Sequence, residues 1–72
     1  MDKEINLAIF GQRLRTLRKK NKQTQAQLAE RIDVSTNFIG MVERGERNTT
    51  IDKVFKIAKA LDITLAEFFK TL

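Results

Sequence analysis

The chain has 72 residues, a length that suits one small domain and excludes a large enzyme scaffold. It contains no Cys, His, Trp, Tyr or Pro, which excludes a disulfide framework, thiolate or imidazole catalysis, and zinc sites with nitrogen or sulfur ligands. Fourteen Lys and Arg residues against nine Asp and Glu residues give a net charge of +5, which favours nucleic acid as the ligand and, less strongly, an anionic membrane.

The first predicted helix runs from about residue 4 to residue 20. Its apolar residues recur with the three-four-three spacing that forms one stripe along a helix. They are Leu7, Phe10, Leu14 and Leu17.

Two short helices follow, and their ends are marked by capping residues. Thr24 and Gln27 have the spacing of a capping box, which predicts a second helix of about two turns. Ser35 is a suitable N-cap for a third helix, and Gly45 is suitable for the left-handed turn that ends it. The segment from Thr24 to Gly45 is therefore predicted to be a pair of helices joined by a tight turn.

A fourth and a fifth helix complete the predicted fold. Thr49 or Thr50 is expected to cap the fourth helix, and Asp62 to adopt left-handed geometry after it. Thr64 and Glu67 have the spacing of a second capping box at the start of the last helix. The apolar stripe of the fourth helix consists of Ile51, Val54, Phe55, Ala58 and Leu61. No alternating strand pattern or linker competes with this all-α interpretation.

Four motifs occur in register along the chain: Phe10-Gly11-x-x-Leu14-x-x-x-Arg18, Thr24-Gln25-x-x-Leu28-Ala29, Ile39-x-x-Val42-Glu43-x-Gly45 and Ile57-Ala58-Lys59-Ala60-Leu61. Together they resemble the λ-repressor-like, Cro-type XRE family of helix-turn-helix regulators, and within it restriction-modification controller proteins and phage repressor domains. The resemblance implies a single compact domain of five helices over residues 1–72, with the helix-turn-helix at about 24–45. Lys22 and Asp33 depart from the family, which often has Gly there.

The third helix is expected to read DNA, because in helix-turn-helix proteins the second helix of the pair enters the major groove. At 100° per residue, Ile39 and Val42 face the core and the opposite side faces outward. The predicted base-reading residues are Thr36, Asn37, Phe38, Gly40 and Met41. Asn37 is favoured because its carboxamide can make two hydrogen bonds to adenine. The role of Phe38 is left open: its ring could pack against the core or contact DNA.

Residues at the ends of the motif are expected to bind phosphate. The predicted set is Gln25, Arg44, Arg47, Asn48 and Thr49. The resemblance implies the phosphate role of Gln25, which also stands at a helix N-terminus. It also implies that Arg18 and Glu43 form a structural ion pair, although Arg18 could otherwise be assigned to DNA.

A homodimer on a pseudo-palindromic DNA site is expected, because a single domain of this size has too little DNA-contacting surface for useful affinity. The C-terminal helix, at about residues 64–72, is the predicted interface, with Leu65 and Leu72 leaning outward. Its apolar residues are Leu65, Phe68, Phe69 and Leu72. The alternative is an antitoxin-like protein-interaction module, and RNA polymerase or a partner protein is left open as a further partner.

No enzymatic activity, metal site, cofactor or membrane association is predicted. The carboxylates are better explained by caps and ion pairs than by acid-base catalysis. The apolar stripes are needed for a core and leave little for a membrane. Since no signal peptide or run of roughly 18 apolar residues is present, a cytoplasmic location is expected.

Overall fold

The computed structural model describes residues 3–70, with side chains from residue 6 onward. Within this range the chain forms five α-helices and no strand, which confirms the predicted all-α class. The helices are α1 (Lys3–Lys20), α2 (Gln25–Arg31), α3 (Thr36–Glu43), α4 (Ile51–Ala60) and α5 (Leu65–Phe69).

The predicted caps begin the short helices. Thr24 Oγ1 accepts the Gln27 N–H at 3.0 Å, and the Gln27 side chain accepts the Thr24 N–H at 2.8 Å, which completes the predicted capping box. Ser35 Oγ accepts the Phe38 N–H at 2.9 Å. Of the two candidates for α4, Thr50 is the cap. These bonds satisfy backbone donors that a helix start leaves without partners.

The capping box predicted for α5 is only half formed. Thr64 Oγ1 accepts the Glu67 N–H at 3.0 Å, but the Glu67 carboxylate lies 3.8 Å from Arg13 Nη2 instead of returning to the Thr64 backbone. Arg13 also donates to two α5 carbonyl oxygens, those of Phe68 at 2.9 Å and Glu67 at 2.7 Å. Arg13 therefore holds the end of α5 against α1.

Left-handed residues end four of the helices. Gly45 has φ 75°, and Lys22, Asp33 and Asp62 have φ between 56° and 58°. The left-handed geometry predicted for Asp62 and Gly45 is confirmed, and Asp33 adopts it without the Gly that the family often has. At each of these turns a backbone N–H donates to the carbonyl oxygen five residues earlier, for example Val34 N–H to Ala29 O at 3.0 Å. These bonds give partners to carbonyl groups that the helix end would otherwise leave without one.

The core lies between the five helices: α3 packs against α1 and α2, α4 packs against α2, and α5 packs against α1 and α4. Its central residues are Leu14, Leu17, Leu28, Ala29, Ile32, Ile39, Val42, Ile57, Leu61 and Phe68. The predicted stripe of α4 is partly wrong, because Ile51 is 67% exposed and Phe55 is 55% exposed. The buried side of α4 consists of Val54, Ile57, Ala58 and Leu61, and Phe55 is rotated about 110° from its centre at 3.6 residues per turn.

Gly11 allows α1 to approach the end of α3. A Cβ atom at this position would overlap the carbonyl oxygen of Val42 and lie 2.6 Å from that of Glu43. Both obstacles are backbone atoms, which cannot rotate away as a side chain can. Gly11 thus fixes the distance between the longest helix and the C-terminal end of α3.

Candidate nucleic-acid interface

The helix-turn-helix consists of α2, the turn that contains Asp33, and α3. Leu28 and Ala29 of α2 are buried against the same core as Ile39 and Val42 of α3. The small side chain of Ala29 suits the close approach of two helices. Because α3 is fixed on its apolar side, its opposite side is presented on a rigid support.

The N-terminal end of α3 carries exposed polar side chains. Thr36 and Asn37 are exposed, and Met41 is half-buried. Gly40 is buried beneath the Arg44 side chain and not exposed: its missing Cβ would lie 3.0 Å from Arg44 Nη1 and 3.6 Å from Gln25 Oε1. The Arg44 side chain lies across the helix and covers this part of the backbone. The roles of these residues in reading bases stay predictions.

A buried ion pair fixes the other end of α3. Arg18 Nε donates to Glu43 Oε2 at 2.6 Å, and Arg18 Nη2 donates to Glu43 Oε1 at 3.1 Å. The side chains are 9% and 1% exposed, respectively. Arg18 Nη1 also donates to the Gln23 carbonyl oxygen at 2.8 Å. The guanidinium is thus committed to protein acceptors, in the structural pairing that the resemblance implies.

Gln25 joins this pair, which the sequence did not indicate. Its side-chain nitrogen donates to Glu43 Oε1 at 3.0 Å, so one carboxylate oxygen accepts from both α1 and α2. The bond connects the start of α2 directly to the end of α3. The phosphate role of Gln25 stays a prediction, and the structure assigns its amide nitrogen to Glu43.

The loop between α3 and α4 brings the other predicted phosphate-binding residues together. Arg44 Nε donates to Glu46 Oε2 at 3.1 Å, and this hydrogen bond and the carboxylate charge raise the pKa of Arg44. Asn48 Oδ1 accepts the Thr49 N–H at 2.8 Å, which shapes the loop before α4. Arg47 and Asn48 are exposed beside the outward side of α3.

Phe38 lies between the core and two cations. Its half-buried side chain packs against the core cluster. Arg47 Cζ lies 5.4 Å and Lys53 Nζ 5.8 Å from the ring centroid, both over the ring. Lys53 was not predicted as a site residue. Its position in the first turn of α4, directly after the basic loop, was the available signal.

The predicted C-terminal interface needs correction. Phe68 is fully buried and belongs to the core, because α5 turns this ring against Phe10 with 5.3 Å between centroids. Phe69 is 41% exposed and Leu65 is half-buried. Leu72 lies outside the described residues.

An exposed apolar surface extends from α4 to α5. Ile51 and Phe55 stand one turn apart on α4, and Leu65 and Phe69 stand one turn apart on α5. Phe55 and Leu65 line the same groove, which joins the two pairs. These four residues are called the α4–α5 apolar surface below.

The described residues 3–70 contain no group of three or more acidic, Cys or His side chains arranged to hold a metal ion. None of the described helices is long and apolar enough to cross a membrane.

Comparison with known proteins places these features in a family. The family model for the helix-turn-helix (HTH_3) matches residues 14–68. Control protein C.BamHI of Bacillus amyloliquefaciens is 39% identical over 56 residues, which span 76% of this chain and 69% of that protein. The restriction-modification controller protein C.AhdI from Aeromonas hydrophila has a crystal structure that superposes with a TM-score of 0.90. It is 40% identical, and the match covers 96% of this chain and all of that one.

A further solved structure contains DNA. The tetramer of the restriction-modification controller protein C.Esp1396I has been crystallised in complex with its natural 35 base-pair operator. It matches with a TM-score of 0.81 and 28% identity, over 89% of this chain and 84% of that chain.

Proposed function

The chain belongs to the helix-turn-helix family HTH_3, and from this premise we propose that it is a sequence-specific, double-stranded DNA-binding transcriptional regulator of the cytoplasm. The observation that carries the proposal is the exposed polar end of α3. Thr36 and Asn37 face outward there, while Gly11 and the Arg18–Glu43 pair hold the far end of the same helix. A groove-reading element needs such a rigid support.

Base reading is assigned to the N-terminal half of α3. In helix-turn-helix proteins these residues approach the base edges in the major groove. Asn37 can donate to and accept from one adenine, a contact that discriminates between bases by about 1–3 kcal/mol. Thr36 suits a thymine methyl group or a phosphate, and the half-buried Met41 suits an apolar contact with a methyl group.

Phosphate binding is assigned to the loop between α3 and α4. Arg47 and Asn48 are exposed donors at the edge of the reading helix. Arg44 is exposed and can exchange its Glu46 partner for a phosphate, because a solvent-exposed ion pair is weak. Such contacts orient the protein on the duplex and carry no sequence information themselves.

Two copies are proposed to bind together through the α4–α5 apolar surface. Ile51, Phe55 and Phe69 are the large apolar residues that the fold leaves exposed among those described. A second copy would cover them and place two reading helices on one side of the DNA. A two-fold dimer of this kind binds a pseudo-palindrome with half-sites about 34 Å apart.

Asn37→Ala and Arg47→Ala should have different effects on DNA binding. Asn37→Ala should relax the preference at one base pair in each half-site, because it removes a base contact. Arg47→Ala should weaken binding to all sequences about equally, because it removes a phosphate contact. Affinities for the selected site and for each single-base variant would measure both effects. Equal losses across all sites for Asn37→Ala would contradict its base-reading role.

Phe55→Asp should reduce the dimer to a monomer, because a carboxylate buried between two copies would lack a partner. Sedimentation equilibrium at several protein concentrations would measure the mass. Thr16→Asp is the control, since it adds the same charge at an exposed position of α1. An unchanged dimer mass in Phe55→Asp would contradict the assignment of the dimer interface to the α4–α5 apolar surface.

A further inference from the structure

Phe38, Arg47 and Lys53 form a cluster beside the N-terminal end of α3, called the Phe38 cluster below. We propose that Lys53 is a further phosphate-contacting residue and that Phe38 is a positioning residue, which holds Arg47 and Lys53 toward one stretch of DNA backbone. This inference rests on the proposed DNA-binding function. It gives Phe38, whose role the sequence left open between packing and DNA contact, a supporting role instead of base reading.

The geometry of the ring supports this assignment. Phe38 packs against the core, and the two cations lie over its ring at 5.4 Å and 5.8 Å from the centroid. Arg47 comes from the loop and Lys53 from α4, so the ring brings together charges from two separate elements. Attraction between a cation and an aromatic face restrains both long side chains before any ligand arrives. This restraint reduces the entropy lost on binding.

The charges in the cluster lack an anionic partner. Among the described residues, no carboxylate lies within 4.0 Å of the Arg47 guanidinium or the Lys53 ammonium group. Asp52, the acidic residue next to Lys53, pairs instead with Lys56 at 3.4 Å. Two cations over one neutral ring repel each other, and an anion between them would balance both. A DNA phosphate has the required charge.

The surrounding groove supplies further polar groups. Asn48, Thr49 and Thr50 line it together with the Phe38 cluster. Thr49 Oγ1 is buried in this groove without a hydrogen-bond partner among the described residues. A duplex that lies along the exposed end of α3 would pass the loop on this side. The cluster therefore fits the phosphate backbone beside the bases that α3 reads.

The salt dependence of DNA binding tests the role of Lys53. Lys53→Gln should lower the slope of log affinity against log salt concentration by roughly 0.9 for each protomer, the value for one phosphate contact. Lys56→Gln is the matched control. Lys56 lies about one turn after Lys53 on α4 and is already paired with Asp52, so this substitution removes the same charge from a lysine that has a partner. It should leave the slope close to that of the unaltered protein. Equal slopes for both variants would overturn the role of Lys53.

Two substitutions at Phe38 separate positioning from packing. Phe38→Leu keeps an apolar side chain against the core but removes the aromatic face, so it should weaken binding to every sequence and lower the salt slope. Phe38→Tyr keeps the face and should restore both values. A Phe38→Leu protein that melts at a lower temperature but retains the original slope would overturn the positioning role. A change of preference at one base pair would return Phe38 to base reading.

The unaltered protein distinguishes this inference from the proposed function. If it shows no preferred DNA site, the proposed function and the inference fail together. If it binds a preferred site and the Lys53 and Phe38 variants keep its slope, only the inference fails.

Discussion

Glu43→Ala should lower the free energy of unfolding by about 3–5 kcal/mol, because it leaves the Arg18 guanidinium buried without its counter-ion. Arg18 is only 9% exposed and has little access to water as a substitute partner. The substitution also removes the acceptor of Gln25. At roughly 0.05–0.15 kcal/mol per residue, a domain of 72 residues is stable by about 4–11 kcal/mol, so the loss is a large fraction of the total. Urea unfolding followed by circular dichroism would measure it.

Two controls isolate the effect of burial. Glu46→Ala removes a carboxylate from an exposed arginine pair and should cost much less, because both side chains of that pair are about half exposed. Arg18→Met combined with Glu43→Leu replaces both charges by apolar groups and should recover most of the lost stability. A Glu43→Ala protein as stable as the Glu46→Ala protein would show that the buried pair is not needed.

The same pair should matter for DNA binding without touching DNA. Glu43 is the last residue of α3 and connects it to α1 and α2. In its absence the reading helix loses its fixed C-terminal end. Glu43→Ala should therefore reduce specific affinity more than non-specific affinity.

Phe68→Ala should lower the free energy of unfolding by about 3–5 kcal/mol, since it removes a fully buried ring and leaves a cavity. The ring contacts Phe10 and Phe69, with centroid distances of 5.3 Å and 5.1 Å. A helix of only five residues has little stability of its own, so α5 should detach when this anchor is lost. Thermal and urea unfolding would measure the change.

Phe69→Ala is the matched control for Phe68→Ala, because Phe69 is the next residue and is 41% exposed. It should weaken the dimer while changing the stability of the protomer much less. The opposite pattern, with Phe68→Ala affecting only dimer mass and Phe69→Ala unfolding the protomer, would contradict the assignment of Phe68 to the core.

Local signals in the sequence were sufficient to predict the helices. Thr24 with Gln27, Ser35 and Gly45 act through bonds to residues a few positions away, so their spacing determines their effect. Asp62 likewise ends α4 by its own backbone geometry. The core positions of α3 followed from periodicity because one side of that helix is covered by α2.

Long-range packing decided the cases that the sequence could not predict. Phe68 and Phe69 are equally apolar, and only the rotation of the short α5 against Phe10 assigns one to the core. Phe55 belongs to a regular apolar stripe, but no described element covers that flank of α4. Gly40 is buried because the Arg44 side chain folds across it. Each outcome depends on side-chain direction in three dimensions.

Site prediction was limited for the same reason. Arg47 could be assigned to DNA from its place in a basic loop, whereas Lys53 lies six residues later in a helix. Its approach to the Phe38 ring depends on how α4 packs beside α3. The bond from Gln25 to Glu43 spans 18 residues and no spacing rule indicates it.

Selection from random double-stranded DNA with the full chain tests the central claim most directly, since it reports whether the protein reads sequence at all. The proposed function predicts enrichment of one pseudo-palindromic site. Its half-sites should be centred about one helical turn apart, or a multiple of a turn, as two-fold dimers require. Recovery of unenriched sequences, bound equally well by charge alone, would contradict it.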